Sequence, residues 1–482
     1  MSRVFFRRFA TKPQAKPQAK PQAKPQARPT AATEFRHDYT VTPDMYSYTT
    51  DLNRETFERL PLLTAKRQAR NAERPRNARL LTRDFIDDSL YHPRYGYFSK
   101  EVRIFTPEKP FDYHEIKDVD DFMDKWTGEY KRYEDKERNT QLWHTPTELF
   151  RPHYGEALAR YLLVNYMLSL YPYADLTIYE MGGGNGTLMV NIMDFIRKTR
   201  PEVYERTRYK IIEISGNLAS KQNESLGSRA AATGHQDKVE IINKSIFEWT
   251  AEVPEPCFFI ALEVFDNFAH DVIRYDNETS RPYQGYVVVD GNGDFTEVYS
   301  ADLDPVAERF LRLRDELGGL PNPVTSPLGF HPLAQPKAYR RLKNMLWPFR
   351  ENLSPPEYIP TRYLEFLDIL RRYFPEHRLL TSDFTHLPDA SPGYCAPVVQ
   401  TVLDGKMVPV PTYMVLQGYF DILFPTDFEM ASMLYRKVCN KLINRASHRD
   451  FLEQWAELDA TTTRAGENPM LSFYQNAAFM YS

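Results

Sequence analysis

Residues 176–190 read LTIYEMGGGNGTLMV, a strand-like run that breaks into three consecutive glycines and passes straight into an amphipathic stretch. Where a strand turns directly into a helix the backbone must reverse tightly. Glycine does this while leaving a ligand free to approach bare main chain. The surroundings repeat the pattern. ALARYLLVNYML (157–168), TLMVNIMDFIRK (187–198) and NLASKQNESL (217–226) are spaced as helices. LTIYEM, YKIIEI, VEIIN, CFFIALEVF and YVVVD are short apolar runs that read as strands. Strands alternating with helices predict an α/β fold with a parallel, doubly wound sheet, whose ligands sit beyond the carboxyl ends of the strands. The glycine run lies at such an end.

Two nucleotide-type ligands compete for this loop. The dinucleotide fingerprint is G-x-G-x-x-G, with a pyrophosphate on the helix N-terminus. Gly182, Gly184 and Gly186 instead form G-x-G-x-G, and Thr187 occupies the place of the third fingerprint glycine. Glu180, two residues earlier, would repel a pyrophosphate but suits a cationic sulfonium. Glu180-Met181-Gly182-Gly183-Gly184-Asn185-Gly186 is the E-x-G-x-G-x-G pattern of class I S-adenosylmethionine methyltransferases. The next strand ends at Glu213, where a carboxylate can accept both ribose hydroxyls. VEIINKSIFEW places Asn243 and Ser245 near the expected adenine, and CFFIALEVFDNF places Glu263 and Asp266 beside the expected methyl group. Capping of the following helix is the alternative role for those last two carboxylates.

The 482 residues suit two or three domains, and at 42% hydrophobic the chain can bury a large core. No stretch approaches the ~20 apolar residues of a membrane helix. Cys257, Cys395 and Cys439 are far apart, without metal-ligand spacing, which predicts neither a zinc site nor a disulfide scaffold. The start, MSRVFFRRFATK, is basic and free of acids, as in a mitochondrial presequence, and four Lys-Pro-Gln-Ala copies follow as an extended linker. We therefore divide the chain into a presequence and linker (1–35), a helical N-terminal region with an acidic insertion or lid (36–140), a cofactor-binding core (141–300) and an α+β substrate- or partner-binding extension (301–482). Nine Arg or Lys between Arg54 and Arg83 form a solvated face or an RNA- or mitoribosome-facing surface.

With these pieces in place, the chain resembles the MidA-type methyltransferases, a family with mitochondrial arginine-methylating members that assist respiratory complex I assembly. DFIDDSLYHPRYGYFS carries its N-terminal landmark through Pro93, Gly96 and Tyr97. HTPTELFRPHYGEALARYL carries the next through Pro146, Glu148, Gly155 and Glu156. YEMGGGNGTL matches the family's Glu-Leu-Gly-Pro-Gly-Arg-Gly-Thr-Leu loop, and IIEISGNLASKQ matches through Glu213, Ser215, Leu218 and Gln222. IALEVFDNFAHD matches Asn-Glu-x-x-Asp-Ala-Leu-Pro in part, with Leu262 at the family's Asn and Phe268-Ala269 at its Leu-Pro. TSDFTHLPD stands where members carry Ile-Asp-Tyr-Gly, keeping Asp383. The resemblance implies a class I (Rossmann-like) methyltransferase of the mitochondrial matrix that uses S-adenosyl-L-methionine. Its acceptor would be protein arginine, giving symmetric dimethylarginine. Glu180, Gly182, Gly184, Gly186, Glu213 and Ser245 would hold the cofactor, Glu263 and Asp266 would act in catalysis, and Glu148 and Glu156 would lie on the substrate side. The competing expectation is a non-catalytic assembly or mitoribosome-associated factor that keeps the fold as a binding platform.

Overall fold

The computed structural model describes residues 39–42, 54–99, 103–134, 142–214, 226–318, 331–334, 353–388, 390–403 and 406–482. The expected presequence and Lys-Pro-Gln-Ala linker, and the motif positions Ser215, Leu218 and Gln222, lie outside them.

Seven strands make the central sheet: β1 (Leu176–Met181), β2 (Thr207–Glu213), β3 (Val239–Asn243), β4 (Cys257–Leu262), β5 (His377–Phe384), β6 (Asn444–Ser447) and β7 (Ala477–Tyr481). Their spatial order is β3-β2-β1-β4-β5-β7-β6. The first five are parallel, whereas β7 runs antiparallel to both β5 and β6. The chain winds outward from β1 to β3, then returns to the other side of β1 with β4. That reversal opens a crevice at the carboxyl ends of β1 and β4, where doubly wound sheets bind ligands.

Both faces of this sheet are covered. Helices α2 (His153–Ser169), α3 (Thr187–Thr199) and α7 (His448–Trp455) pack on Ile178, Ile211, Phe258, Ile260 and Leu380. Helices α4 (Pro305–Leu317), α5 (Thr361–Tyr373) and α6 (Phe428–Cys439) pack on Tyr179, Ile212, Phe259, Ala261 and Leu379. Burial on both sides explains why these strands read as continuous apolar runs. No helix among the described residues is long and apolar enough to cross a membrane.

A second, largely antiparallel sheet is inserted between β4 and β5. It contains Asp271–Tyr275, Pro282–Val289, Phe295–Ser300 and Glu357–Ile359, and residues 39–42, 62–63 and 78–81 add strands to it. This corrects two expectations. YVVVD belongs to this sheet rather than to the parallel one; Val287, Val288 and Val289 are buried, and a fully buried antiparallel strand shows no alternation. The N-terminal region expected to be helical (36–140) is not simply so, because Leu62–Leu63 pairs with Ala78–Leu81, which in turn pairs with Pro282–Val289. The basic segment also turns partly inward. Arg83 is buried between Asp271 (2.6 Å) and Asp304 (2.7 Å), Arg79 lies over Phe57, and Arg74 donates to the Gln417 carbonyl. The acidic stretch after 103 is anchored too, with Tyr113 and Phe122 buried against Phe150.

The insertion is tied to α4 by a buried ionic network. Glu357 accepts from Arg314, His331 (3.1 Å) and Tyr275 (2.5 Å). Burial alone would raise its carboxyl, but Arg314 and the two hydrogen-bonding neighbours bring it down to about 2. Removing one partner of such a network leaves an uncompensated buried charge, at a cost of ~3–5 kcal/mol. Glu357→Gln is therefore expected to lower the urea midpoint at pH 7 by that equivalent. Because the depressed carboxyl contributes stability only above its unfolded value, the gap between variant and wild type should narrow as pH falls from 5 towards 2. A constant gap across that range would show that charge is not the cause.

Candidate active site

A cavity of about 450 Å³ opens at the carboxyl ends of β1, β2 and β4, within the ~300–1,000 Å³ typical of small-molecule sites. Its floor is the loop between β1 and α3. Gly182, Gly184 and Gly186 all adopt left-handed φ, at 75°, 51° and 74°. That alternation is the steric reason for G-x-G-x-G, since side chains strain the backbone there. At Gly184 a β-carbon would also stand 3.0 Å from the Ile104 methyl, in the cavity wall. The Gly182 amide donates to the Ile212 carbonyl (3.1 Å), fixing the loop to the end of β2.

Three carboxylates face this space: Glu213, Glu263 and Asp266. Among the described lining residues there is no Lys or Arg, and burial lowers the one imidazole, His144, towards its neutral form. Glu213 is raised by burial to about 7, against the pull of the Ile214 and Gly183 amides. Glu263 is raised to about 8 by burial and by Asp383. Asp266 is pushed well above the carboxylate range by burial and by Asp383, Asp421 and Glu263. Its Oδ1 is buried without a hydrogen-bond partner. Such a lining favours cations and opposes phosphate.

The turn carrying Glu263 and Asp266 is held from the neighbouring strand. Asp383, at the end of β5, accepts through Oδ2 from the amides of Val264 (3.2 Å), Phe265 (2.8 Å) and Asp266 (3.2 Å), and through Oδ1 from Phe384 (2.8 Å). Glu263 donates its amide to the Ser382 carbonyl (2.8 Å) and sits at φ 52°, a conformation that L-residues rarely adopt. Surrounding structure has to impose it, and such residues cluster at working sites.

The other sequence-predicted residues fall elsewhere. Glu180 lies outside the lining; buried, it accepts from Tyr209 (2.9 Å), and burial raises it to about 7. Successive strand residues face opposite sides, and it is the adjacent Met181 that borders the cavity. Ser245 is also absent from the wall and caps the single turn Ile246–Glu248 through the Phe247 amide (3.3 Å). Asn243 pairs with Glu213 across the sheet without lining the cavity. Glu148, on α1 (Pro146–Leu149), clamps the glycine loop from behind, accepting from Thr187 (2.7 Å) and Asn185 (3.2 Å). Glu156 stays on α2 beside His153 (3.6 Å), away from the lining. Sequence reasoning passed over Tyr91, Phe98, Asn267 and Gln400, which line the cavity, and Asp421 behind them. Only the proximity of Asn267 to Asp266 offered a signal.

These residues fit S-adenosylmethionine. Bare glycine main chain, a carboxyl group at the end of β2, apolar walls from Met181, Ile212, Ile214 and Val264, and the carboxyl groups of Glu263 and Asp266, which a cation would ionise, match adenosine joined to a sulfonium. A dinucleotide would find nothing to neutralise its phosphates among the described lining residues.

Comparison with known proteins agrees. The family model for S-adenosyl-L-methionine-dependent methyltransferases matches residues 157–444, more than half of the chain. The mitochondrial protein arginine methyltransferase NDUFAF7 homolog of Schizosaccharomyces pombe is 25% identical over 386 residues, covering 79% of this chain and 80% of its own. Its counterpart in Saccharomyces cerevisiae is 22% identical over 354 residues, covering 68% and 77%. A native crystal structure of a superfamily protein from Burkholderia thailandensis covers 84% of this chain and 87% of its own, with 15% identity and a TM-score of 0.50, a likeness of fold.

Two outcomes are expected by calorimetry. Gly184→Val should abolish S-adenosylmethionine binding and, through the strain at φ 51°, lower the thermal midpoint while unfolding stays cooperative; retained affinity would move the ligand elsewhere. Because burial raises Glu213 to about 7 and Glu263 to about 8, affinity for the cationic donor should rise from pH 6.5 to 8.5 as these two ionise. S-adenosylhomocysteine, whose sulfur is neutral, should change less, and parallel profiles would refute the electrostatic account.

Proposed function

The chain belongs to the S-adenosyl-L-methionine-dependent methyltransferase family, and from that premise we propose that it methylates arginine side chains of a protein substrate in mitochondria. The observation that carries the proposal is the cavity wall, with three carboxylates and no Lys or Arg among its described residues. One carboxylate suffices for a ribose, and one cation is the donor sulfonium. Glu263 and Asp266 remain for a second cation, and a guanidinium, protonated at any physiological pH, is the group that needs them. The printed names of the two yeast relatives supply arginine and the mitochondrion. The matrix compartment, a symmetric dimethyl product and a role in respiratory complex assembly complete the reading, on the family resemblance.

When bound, S-adenosylmethionine supplies a methyl group on a positively charged sulfur. The residues of this chain align the acceptor and remove its proton. Transfer forms a C–N bond, breaks the donor C–S bond and leaves one proton surplus on the guanidinium. Glu263 and Asp266 are suited to hold the guanidinium fork and take that proton. Without a cation their raised proton affinity holds them protonated near pH 7; the guanidinium charge favours the ionised form, which is a stronger base than a solvated carboxylate. The strained φ of Glu263 and the amide clamp of Asp383 fix both groups before the acceptor arrives, which favours in-line geometry.

Labelled methyl transfer to arginine in a mitochondrial extract should fall about 10²–10⁴-fold in Asp266→Asn, the range for losing a positioned base. S-adenosylmethionine should still bind to that variant. Undiminished transfer would remove Asp266 from the reaction, and label arriving on lysine instead would overturn the arginine assignment.

A further inference from the structure

One lining residue has no role in the scheme above. Asn267 follows Asp266 on the single turn Phe265–Asn267 and faces the same cavity. Its side-chain nitrogen donates to Asp421 Oδ1 (3.3 Å) and to the Ile422 carbonyl (3.2 Å). Both partners are acceptors, so the amide cannot flip: the nitrogen must point to them. Both amide hydrogens are thereby used, and the oxygen Oδ1 is left to accept. The main chain is fixed as well, since the Tyr91 hydroxyl donates to the Asn267 carbonyl (3.1 Å) and the Phe424 amide to the Asp266 carbonyl (2.7 Å). Asp421 is fully buried, and its second oxygen has no hydrogen-bond partner. A buried carboxylate placed there is costly unless it holds something, and what it holds is this amide.

Beside it stands an aromatic wall. Tyr91 and Phe98 stack at 5.4 Å and 20°, and both line the cavity. A flat aromatic face in the same cavity as acceptor groups suits a planar guanidinium better than the compact ammonium of lysine.

We propose that Asn267 Oδ1 is a specificity-determining acceptor for the substrate guanidinium, and that Asp421 is its positioning residue. The inference rests on the arginine reading and deepens it. The sequence carries a matching exchange. The family motif Asn-Glu-x-x-Asp-Ala reads Leu262-Glu263-Val264-Phe265-Asp266-Asn267 here, so an amide absent at its first position is present at its last.

The test is calorimetric titration of N-acetyl-arginine amide, and of N-acetyl-lysine amide, into the full chain saturated with S-adenosylhomocysteine. Asn267→Ala should weaken the arginine probe about tenfold, the scale of one hydrogen bond to a charged group, and leave the lysine probe unchanged. Asp421→Ala should weaken the arginine probe similarly, whereas Asp421→Asn, which can still accept from the Asn267 amide, should recover most of the affinity. S-adenosylhomocysteine affinity and thermal midpoint report whether each variant keeps its fold. In steady state Asn267→Ala should raise KM for an arginine peptide far more than it lowers kcat. Arginine affinity within twofold of wild type in a folded Asn267→Ala protein would overturn this inference alone. A wild-type protein that binds S-adenosylhomocysteine but no arginine probe would overturn both it and the arginine reading.

Discussion

The site depends on one carboxylate. Asp383 accepts four main-chain amides, three of them from the turn that carries Glu263 and Asp266. The three turn amides lie beyond the end of β4, and a buried donor left unpaired is costly. A carboxylate on the adjacent strand meets the need and puts negative charge directly behind the cavity. It therefore does two things at once: it shapes the turn, and it raises the proton affinity of the two carboxylates that the turn presents.

The cavity is thus a place where anionic groups gather and their compensation is left to the ligands. At several other places the fold pairs a buried carboxylate with arginine, as Glu357 with Arg314 and Asp271 with Arg83. Around Asp266 it does not. Asp266 and Asp421 each retain a buried oxygen without a partner, and Glu213 and Glu263 are raised by burial. Natural folds tolerate such deficits where function requires them. Two cationic ligands in one cavity would supply the missing charge.

Much of this was legible in the sequence, and the division is physical. Strand and helix periodicity is local, so β1, β2, β3, β4, α2 and α3 could be read directly. The glycine loop and the strand-end carboxylates Glu213, Glu263 and Asp266 followed from topology; the carboxylates, Gly182 and Gly184 reach the cavity, while Gly183 and Gly186 do not, Gly186 turning the chain into α3. Glu180 stands off the cavity wall because motif position says nothing of which side of a strand a residue faces. Ser245 stands off it too, capping the turn Ile246–Glu248. Tyr91, Phe98 and Asp421 could not be read at all, since they arrive from the N-terminal segment and from the short strand Asp421–Leu423 through tertiary packing. Leu262 stands at the family's Asn, while Asn267 and its buried anchor supply an amide five residues further on.

The distance in sequence between Asp383 and the turn it secures, 117 to 119 residues, has a consequence for how the protein comes into being. As the chain is made from its amino end, the donor pocket's glycine floor and β2 can pair long before β5 has been synthesised. The turn bearing Glu263 and Asp266 must wait for the whole inserted sheet and for the strand beyond it. Ordering of that turn is thereby deferred until β5 has been made, so an unfinished chain can hold the glycine floor and β2 without the clamp on Glu263 and Asp266.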